Sequence, residues 1–225
     1  NKYNLPVIED AAQSLGATHN GRQSCSMTTL ATTSFFPAKP FGCYGDGGAI
    51  FTNDSDLYEK MCCLRVHGGK RGSFDYPYVG MNARLDTIQA AVLLAKLPHF
   101  NKELEARTRV GNYYNELLKE VSQIPTPEEG NTHTYAQYTI KVSQEIRDAC
   151  VKKLKEEQIP VAIYYPKCLH QLPPYFQPEG SFPVAEQGVR EVLSLPMHPW
   201  LTQEEQQRIV QVVESTIKEL QLVNV

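Results

Sequence analysis

The chain has 225 residues, 41% of them hydrophobic, and is therefore long enough to bury a core in one or two domains. With 14 glycines and 15 prolines, its ordinary composition excludes collagen, low-complexity and wholly disordered classes. Its 22 basic and 25 acidic residues give a net charge of −3, which argues against a basic surface for nucleic acid.

The first part of the sequence has the pattern of an α/β sheet. Residues 5–8 are an apolar run that closes on acidic residues, which is typical of a buried parallel strand whose carboxyl end carries functional side chains. Residues 31–36 and 48–52 are predicted strands, and residues 54–64 are a predicted helix. A glycine-rich loop is expected over residues 68–81.

Two helices and a smaller α+β unit follow. A helix begins near Leu85 and is expected to break or kink at Pro98, and a second helix covers residues 101–121. The polar, proline-bearing segment that follows is the best candidate for a domain boundary. We therefore expect residues 1–124 to be the C-terminal part of a large domain with its connecting helices, and residues 125–225 to be a small α+β domain.

The small domain has its own pattern of elements. They are predicted strands over 135–142, 161–165 and 192–195, a helix over 144–157 and an exposed proline-rich loop over 172–183. A last helix is predicted after Thr202, which with Glu205 has the spacing of a capping box.

The cysteines and the apolar runs bear on location. The six cysteines have neither C-x-x-C pairs nor the spacing of a disulfide framework, and no apolar run reaches the roughly 18 to 20 residues of a membrane span. We expect reduced thiols in a soluble, cytoplasmic protein. The sequence lacks an initiator methionine and enters its first strand almost at once, which favours the C-terminal portion of a longer protein. Its first strand should then form an exposed sheet edge or be covered by another chain.

Asp10 is the first candidate for chemistry. It follows a predicted strand, where a carboxylate is costly unless a cation or a strong donor faces it. Asp10 could instead cap a following helix, since Ala11, Ala12 and Gln13 come next.

Lys39 and Ser34 are the next candidates. Lys39 lies between Pro37 and Pro40, and a lysine amine in rigid, desolvated surroundings can form a Schiff base with a carbonyl. The alternative is a solvated loop lysine. The Ser34 hydroxyl and the backbone N–H groups of the turn after it are components of a phosphate site.

These parts are more specific together than apart. An acid for a protonated ring nitrogen, a lysine for a Schiff base and a phosphate site are what pyridoxal 5′-phosphate (PLP) requires of a protein. The segment Gly45-Asp46-Gly47-Gly48 matches neither of the nucleotide-binding motifs G-x-G-x-x-G and G-x-x-x-x-G-K-[ST]. It indicates close packing of the backbone before a strand. No spacing of side chains favours a metal site.

Longer segments carry a family resemblance. They are VIEDAAQSLGA (7–17), SFFPAKPFGCYGDGGAIFTND (34–54), LRVHG (64–68), GMNARLDTIQAAVL (80–93), HTYAQYTI (133–140), IYYPKCLHQLP (163–173) and LSLPMHPWLT (193–202). These segments closely resemble the sugar aminotransferases of the DegT/DnrJ/EryC1/StrS family, above all the enzymes that aminate 3-keto sugars, including 3-oxo-uronic acids, on UDP for O-antigen synthesis. The resemblance implies an α/β fold: part of the large domain of a type I, aspartate-aminotransferase-like transferase and a small α+β C-terminal domain.

The resemblance also implies roles for residues around the cofactor. Lys39 would form the Schiff base with PLP and then shuttle a proton, and Asp10 would pair with the pyridinium nitrogen. Gln13 would bond the 3-oxygen of the ring, and Ser34 would bind the phosphate. Asn82 would reach the phosphate in the neighbouring subunit, which implies a homodimer with shared active sites.

Substrate binding is implied for a second group of residues. Arg84 would lie near the partner's substrate and is the candidate for a uronic acid carboxylate, which a guanidinium binds bidentately. Tyr164, Tyr165 and His170 would line the sugar-nucleotide pocket. The expected function is amino transfer from an amino acid, with glutamate as the candidate, to a keto sugar nucleotide.

Two alternatives stay open at the level of sequence. One is the dehydratase branch of the same family, which keeps the cofactor but lacks the Schiff-base lysine, so that Lys39 argues against it. The other is a truncated, catalytically incompetent fragment that binds the cofactor or has a structural role.

Overall fold

The computed structural model describes residues 2–70, 72–177 and 181–223. The strands are β1 (Ile8–Asp10), β2 (Thr18–His19), β3 (Arg22–Gln23), β4 (Leu30–Ser34), β5 (Gly48–Phe51), β6 (Tyr138–Lys141) and β7 (Val192–Leu195). The α-helices are α1 (Ser55–Leu64), α2 (Thr87–Lys96), α3 (Phe100–Leu118), α4 (Gln144–Glu156), α5 (Pro183–Glu191) and α6 (Gln203–Val223). None of these described helices combines the length and the apolar character needed to cross a membrane.

Two compact units divide the chain. The first unit is Asn1–Leu104 with Pro127–Ala136, and the second is Glu105–Thr126 with Gln137–Val225. All six cysteines are free thiols.

The sheet of the first unit has the order β1-β4-β5. β1 is parallel to β4, with Asp10 opposite Thr32, and β5 is antiparallel to β4. The prediction of a parallel first strand is confirmed, although the strand covers Ile8–Asp10 rather than residues 5–8. Its predicted burial is wrong: Ile8 is 65% exposed, because β1 is the edge strand among the described residues. The sheet therefore has the exposed edge that was one of the two expected outcomes.

A cluster of buried side chains holds the segment after β4. Phe35, Phe41 and Cys43 pack with Leu93 of α2. The rings of Phe35 and Phe41 meet edge to face, with centroids 5.8 Å apart. The Cys43 N–H donates to the Phe35 carbonyl at 2.8 Å. Because these residues come from both sides of Lys39, they fix the ends of the turn that contains it.

The three helices predicted before residue 122 are all present, but α2 begins at Thr87 rather than near Leu85 and α3 ends at Leu118 rather than at residue 121. The Asp54 carboxylate accepts the N–H of Leu57 at 2.9 Å and caps α1. Pro98 lies in a single 3₁₀ turn, Leu97–His99, between α2 and α3. The predicted break at this proline is confirmed, since proline has no N–H to continue the α-helical bonds.

The second unit is built around β6 and β7, which are antiparallel with Tyr138 opposite Leu195. Tyr114 of α3 is fully buried and stacks on Tyr138 with ring centroids 4.7 Å apart. Its hydroxyl donates to the Pro196 carbonyl at 3.1 Å. α4 packs against α6 and also contacts β7.

The compact units divide the chain differently from the predicted boundary at residues 124 and 125. The second part of α3 groups with the second unit, because Tyr114 packs there. Residues 127–136 group with the first unit. There the Thr132 hydroxyl accepts the N–H of Thr18 at 2.8 Å, and the Gly130 carbonyl accepts the N–H of Asn20 at 2.7 Å. Polar contacts of this kind cannot be predicted from the hydrophobic pattern of the sequence.

Two elements of the second unit differ from expectation. The predicted strand over 161–165 makes one isolated bridge, between Ala162 and Ser194. The predicted loop over 172–183 lies partly outside the described residues, and its last residue already starts α5. Proline is favoured in the first turn of a helix, where its missing N–H costs nothing.

Candidate active site

The carboxyl ends of β1 and β4 bring Asp10 and Ser34 to the same edge of the sheet. The Ala11 N–H donates to the Thr32 carbonyl at 2.7 Å, and the Thr33 hydroxyl donates to the Ala11 carbonyl at 3.0 Å. These bonds fix the two strand ends together. In sheets with parallel strands, ligands bind at this edge.

Asp10 is exposed, and its Oδ1 accepts the N–H of Ala12 at 3.0 Å. Turns rather than a helix follow over residues 12–16, so Asp10 is not a helix cap. The local bond instead fixes the carboxylate at the strand end, as in an Asx turn. An anionic group held there can accept a hydrogen bond from a protonated ring nitrogen.

Ser34 and Lys39 lie on either side of one turn, and both are half-buried. The Ser34 hydroxyl oxygen accepts the N–H of Phe36 at 3.2 Å, and the Lys39 N–H donates to the Phe36 carbonyl at 2.8 Å. Pro40, directly after Lys39, is buried. The lysine is thus attached to a constrained turn that begins at the strand end. An amine in such a position can form a covalent bond with a carbonyl compound.

Two contacts that the sequence does not predict support the neighbourhood of Asp10. Thr134 is buried, with 4% of its surface exposed, and its hydroxyl donates to the Gln13 carbonyl at 3.3 Å. The Glu9 carboxylate accepts the N–H of Cys25 at 2.7 Å. Burial, and then the charge of Glu9, raises the pKa of the Cys25 thiol, which keeps it protonated. Thr134 is 121 residues from Gln13, so local sequence carries no signal for that contact.

Asn82 and Arg84 are exposed and bonded to each other. The Arg84 Nε donates to the Asn82 Oδ1 at 3.0 Å. Asn82 forms an isolated bridge with Val66, and the Ala83 N–H donates to the Arg65 carbonyl at 2.9 Å. The segment therefore has a defined backbone and presents both side chains outward. The bond at Nε engages the guanidinium at its stem rather than at its terminal nitrogens.

The predicted substrate-binding residues Tyr164, Tyr165 and His170 lie in the second unit. Tyr164 and Tyr165 are 44% and 62% exposed, and their ring centroids are 5.6 Å apart. His170 is half-buried, and its Nε2 lies 3.1 Å from the Glu186 Oε1. Sequence reasoning missed Glu186, because a single glutamate in a polar helix has no pattern that points to a histidine 16 residues away.

Comparison with known proteins identifies the family. The model of the DegT/DnrJ/EryC1/StrS aminotransferase family matches residues 1–214. The chain belongs to this family. Helices and strands combine in an α/β fold of the predicted class, and the structural comparisons below confirm that class.

Three individual proteins illustrate the similarity. The UDP-2-acetamido-2-deoxy-3-oxo-D-glucuronate aminotransferase of Pseudomonas aeruginosa is 46% identical over 202 residues, which are 89% of this chain and 55% of that protein. The crystal structure of a DegT DnrJ EryC1 StrS aminotransferase from Brucella abortus matches with a TM-score of 0.90 and 43% identity, covering 95% of this chain and 58% of that one. The Bacillus subtilis protein NtdA with bound cofactor PMP matches with a TM-score of 0.85 and 30% identity, covering 97% and 52%. The chain thus spans somewhat more than half the length of these proteins.

Proposed function

We propose that the protein is a PLP-dependent aminotransferase that transfers an amino group from an amino acid to a keto sugar nucleotide. Glutamate is our candidate donor, and a UDP-linked 3-keto sugar, such as a 3-oxo-uronic acid, is our candidate acceptor. The observation that carries the proposal is the position of Asp10 and Ser34 at the carboxyl ends of two paired parallel strands, with Lys39 in the turn that follows β4. Family membership and the 46% identity to a UDP-3-oxo-glucuronate aminotransferase support it.

The side chains at this edge suit PLP. The cofactor has a phosphate, a basic ring nitrogen and an aldehyde, and these match the Ser34 hydroxyl with its turn, the Asp10 carboxylate and the Lys39 amine. When bound, PLP supplies an electron sink that stabilises negative charge on the carbon losing its proton. The relative with bound PMP, the aminated form of PLP, supports the same choice of cofactor.

Each residue has a role that follows from its chemistry. The Asp10 carboxylate would accept a hydrogen bond from the ring nitrogen and hold the proton there. Ser34 would donate its hydroxyl hydrogen to a phosphate oxygen, and Gln13 would bond the 3-oxygen. Lys39 would bind the cofactor covalently through Nζ and, once released, move the proton at the substrate carbon.

Two groups of residues are proposed to bind substrate. Arg84 would bind the carboxylate of a uronic acid in the partner's active site through its terminal nitrogens, since Nε already bonds Asn82. Tyr164, Tyr165 and His170 would line the pocket for the sugar nucleotide. We further propose a homodimer with shared active sites, in which Asn82 reaches the phosphate of the partner's cofactor. The outward position of Asn82 and Arg84 is compatible with that role.

Three further proposals concern the domains, the pathway and the cellular location of the protein. We propose that residues 1–124 belong to the cofactor-binding large domain and its connecting helices, and residues 125–225 to the small domain. An enzyme that aminates sugar nucleotides would serve surface polysaccharide or O-antigen synthesis. We place it in the cytoplasm, since its six cysteines are free thiols.

Transamination in two stages tests the proposal. Purified protein is supplied with PLP and glutamate, and 2-oxoglutarate is measured; a UDP-3-keto sugar is then added, and the amino sugar is identified by mass spectrometry. We expect both products from the wild type, neither from Lys39→Ala, and both from the control Lys102→Ala on α3. Loss of a sugar hydroxyl without amination would support the dehydratase alternative. Retained PLP without either product would support the incompetent-fragment alternative.

A further inference from the structure

Glu186 and His170 form a half-buried pair in the second unit. The Glu186 Oε1 lies 3.1 Å from the His170 Nε2, and the two side chains are 31% and 14% exposed. A carboxylate accepts but does not donate, so the imidazole nitrogen at this distance carries the hydrogen of the bond. A histidine that bonds a carboxylate in this way has its ring orientation and its tautomer set by that partner.

Further contacts hold both members of the pair. The Phe182 N–H donates to the same Glu186 oxygen at 3.2 Å, and the Glu186 N–H donates to the Phe182 carbonyl at 2.9 Å. The Phe182 ring lies against the imidazole with centroids 4.7 Å apart and planes inclined by 39°. The His170 carbonyl accepts the N–H of Gln177 at 3.2 Å. The imidazole is therefore held along one edge, on one face and through its backbone.

We propose that Glu186 is a positioning residue for His170: it keeps the hydrogen on Nε2 and makes Nδ1 the ring nitrogen that meets the sugar nucleotide. The inference rests on the proposed role of His170 in substrate binding. In the neutral imidazole, Nδ1 is then an acceptor. Its partner would be a hydroxyl group of the sugar or the ribose, which can donate a hydrogen bond. The opposite tautomer would present a donor at Nδ1 and leave the half-buried carboxylate facing an acceptor.

A purely structural role for Glu186 makes different predictions. Glu186 lies in the first turn of α5, where a carboxylate stabilises the exposed N–H groups of the helix. If capping were its whole role, replacing it would lower stability alone. If it positions His170, replacing it would also change the tautomer of His170 and the affinity for the sugar nucleotide.

The experiment compares Glu186→Ala, Glu186→Gln and His170→Ala with the control Gln187→Ala. Gln187 is exposed on the same helix, and its amide donates to Glu191 at 2.6 Å. Each protein is loaded with PLP, and the reaction with glutamate is measured separately from the reaction with a UDP-3-keto sugar. Glu186→Ala is expected to raise the KM for the sugar nucleotide about 10-fold, as for the loss of one charge-assisted hydrogen bond, and to leave the glutamate reaction unchanged. Glu186→Gln, which retains an acceptor oxygen, should recover most of this loss, and adding Glu186→Ala to His170→Ala should cost nothing further.

A second measurement does not depend on activity. Long-range ¹H–¹⁵N spectra of the imidazoles at alkaline pH report which ring nitrogen carries the hydrogen. We expect the Nε2–H form for His170 in the wild type and in Gln187→Ala, and an increased Nδ1–H population in Glu186→Ala. A wild-type His170 in the Nδ1–H form would overturn the proposal, as would a Glu186→Ala protein that loses stability but keeps the tautomer and the sugar KM. If the wild type aminates no sugar nucleotide, the proposed function fails, whereas the spectra still test the pair.

Discussion

The segment that carries Asn82 and Arg84 depends on Gly68. After α1, the Gly68 N–H donates to the Cys63 carbonyl at 2.9 Å, and its carbonyl accepts the N–H of Tyr78 at 3.4 Å. Its φ of +83° lies in the left-handed region. Gly68 therefore joins the end of α1 to the chain that returns toward Asn82.

The cost of Gly68→Ala can be worked out from this geometry. A Cβ at Gly68 would lie 2.5 Å from the carbonyl carbon of Tyr78 and closer still to its oxygen. The left-handed conformation costs a residue with a Cβ roughly 1–2 kcal/mol. Displacing packed atoms costs typically about 1–3 kcal/mol more. We expect the free energy of unfolding of Gly68→Ala to fall by about 2–5 kcal/mol.

Gly72→Ala is the matched control. Gly72 lies in the same loop with a φ of +76°, and an added Cβ there would meet nothing within 4 Å. Its substitution should cost only the conformational part, about 1–2 kcal/mol. Urea unfolding followed by circular dichroism measures both variants. Equal destabilisation of the two would refute the reasoning, because the contact between Gly68 and Tyr78 would then have no energetic effect.

Three further predictions concern histidine titration and the start of α6. Burial lowers the pKa of His133 from 6.5, and its Nδ1 accepts the N–H of Tyr135 at 2.8 Å. The unfolded chain then binds more protons than the folded one, so the free energy of unfolding should fall as the pH drops below 6.5. His133→Asn keeps a hydrogen-bond acceptor but does not titrate. In urea titrations from pH 7.5 to 5, its free energy of unfolding should therefore depend less on pH than that of the wild type. Thr202 and Glu205 form a capping box at the start of α6: the Thr202 N–H donates to Glu205 at 2.8 Å, and the Glu205 N–H donates to the Thr202 hydroxyl at 3.2 Å. Thr202→Ala removes the hydroxyl from this box and should lower the free energy of unfolding by about 1 kcal/mol. These bonds lower the pKa of Glu205 from 4.5. The wild type should therefore have a higher free energy of unfolding than Glu205→Gln above pH 4.5, and this difference should disappear as the pH falls through the pKa of Glu205 in the folded protein. A difference that grows in acid would contradict this.

The parts of the fold that the sequence predicts are those with strong local signals. The capping spacing of Thr202 and Glu205 and the helix break at Pro98 both occur as expected. The run of β-branched and aromatic residues over 161–165 predicts a strand, but only Ala162 pairs, with Ser194. That pairing depends on a distant strand, so propensity alone could not decide it.

The candidate site divides in the same way. Asp10 and Ser34 are recognisable because they lie at strand ends, and Lys39 because it lies between Pro37 and Pro40 in the turn after β4. The parallel pairing of β1 with β4 brings Asp10 and Ser34 to one edge. The contacts that support other site residues were not predictable. Thr134 bonds Gln13, and Glu186 bonds His170, across separations that leave no periodic pattern.

The central claim is that Lys39 is the residue that binds PLP covalently. The direct test is to incubate the purified protein with PLP, reduce it with borohydride and locate the modified lysine by peptide mass spectrometry, with Lys39→Ala and Lys102→Ala treated in parallel. The account predicts a phosphopyridoxyl group on Lys39 in the wild type and in Lys102→Ala, and none at any stoichiometric level in Lys39→Ala. A stoichiometric modification on another lysine, or equal labelling of Lys39→Ala, would contradict it.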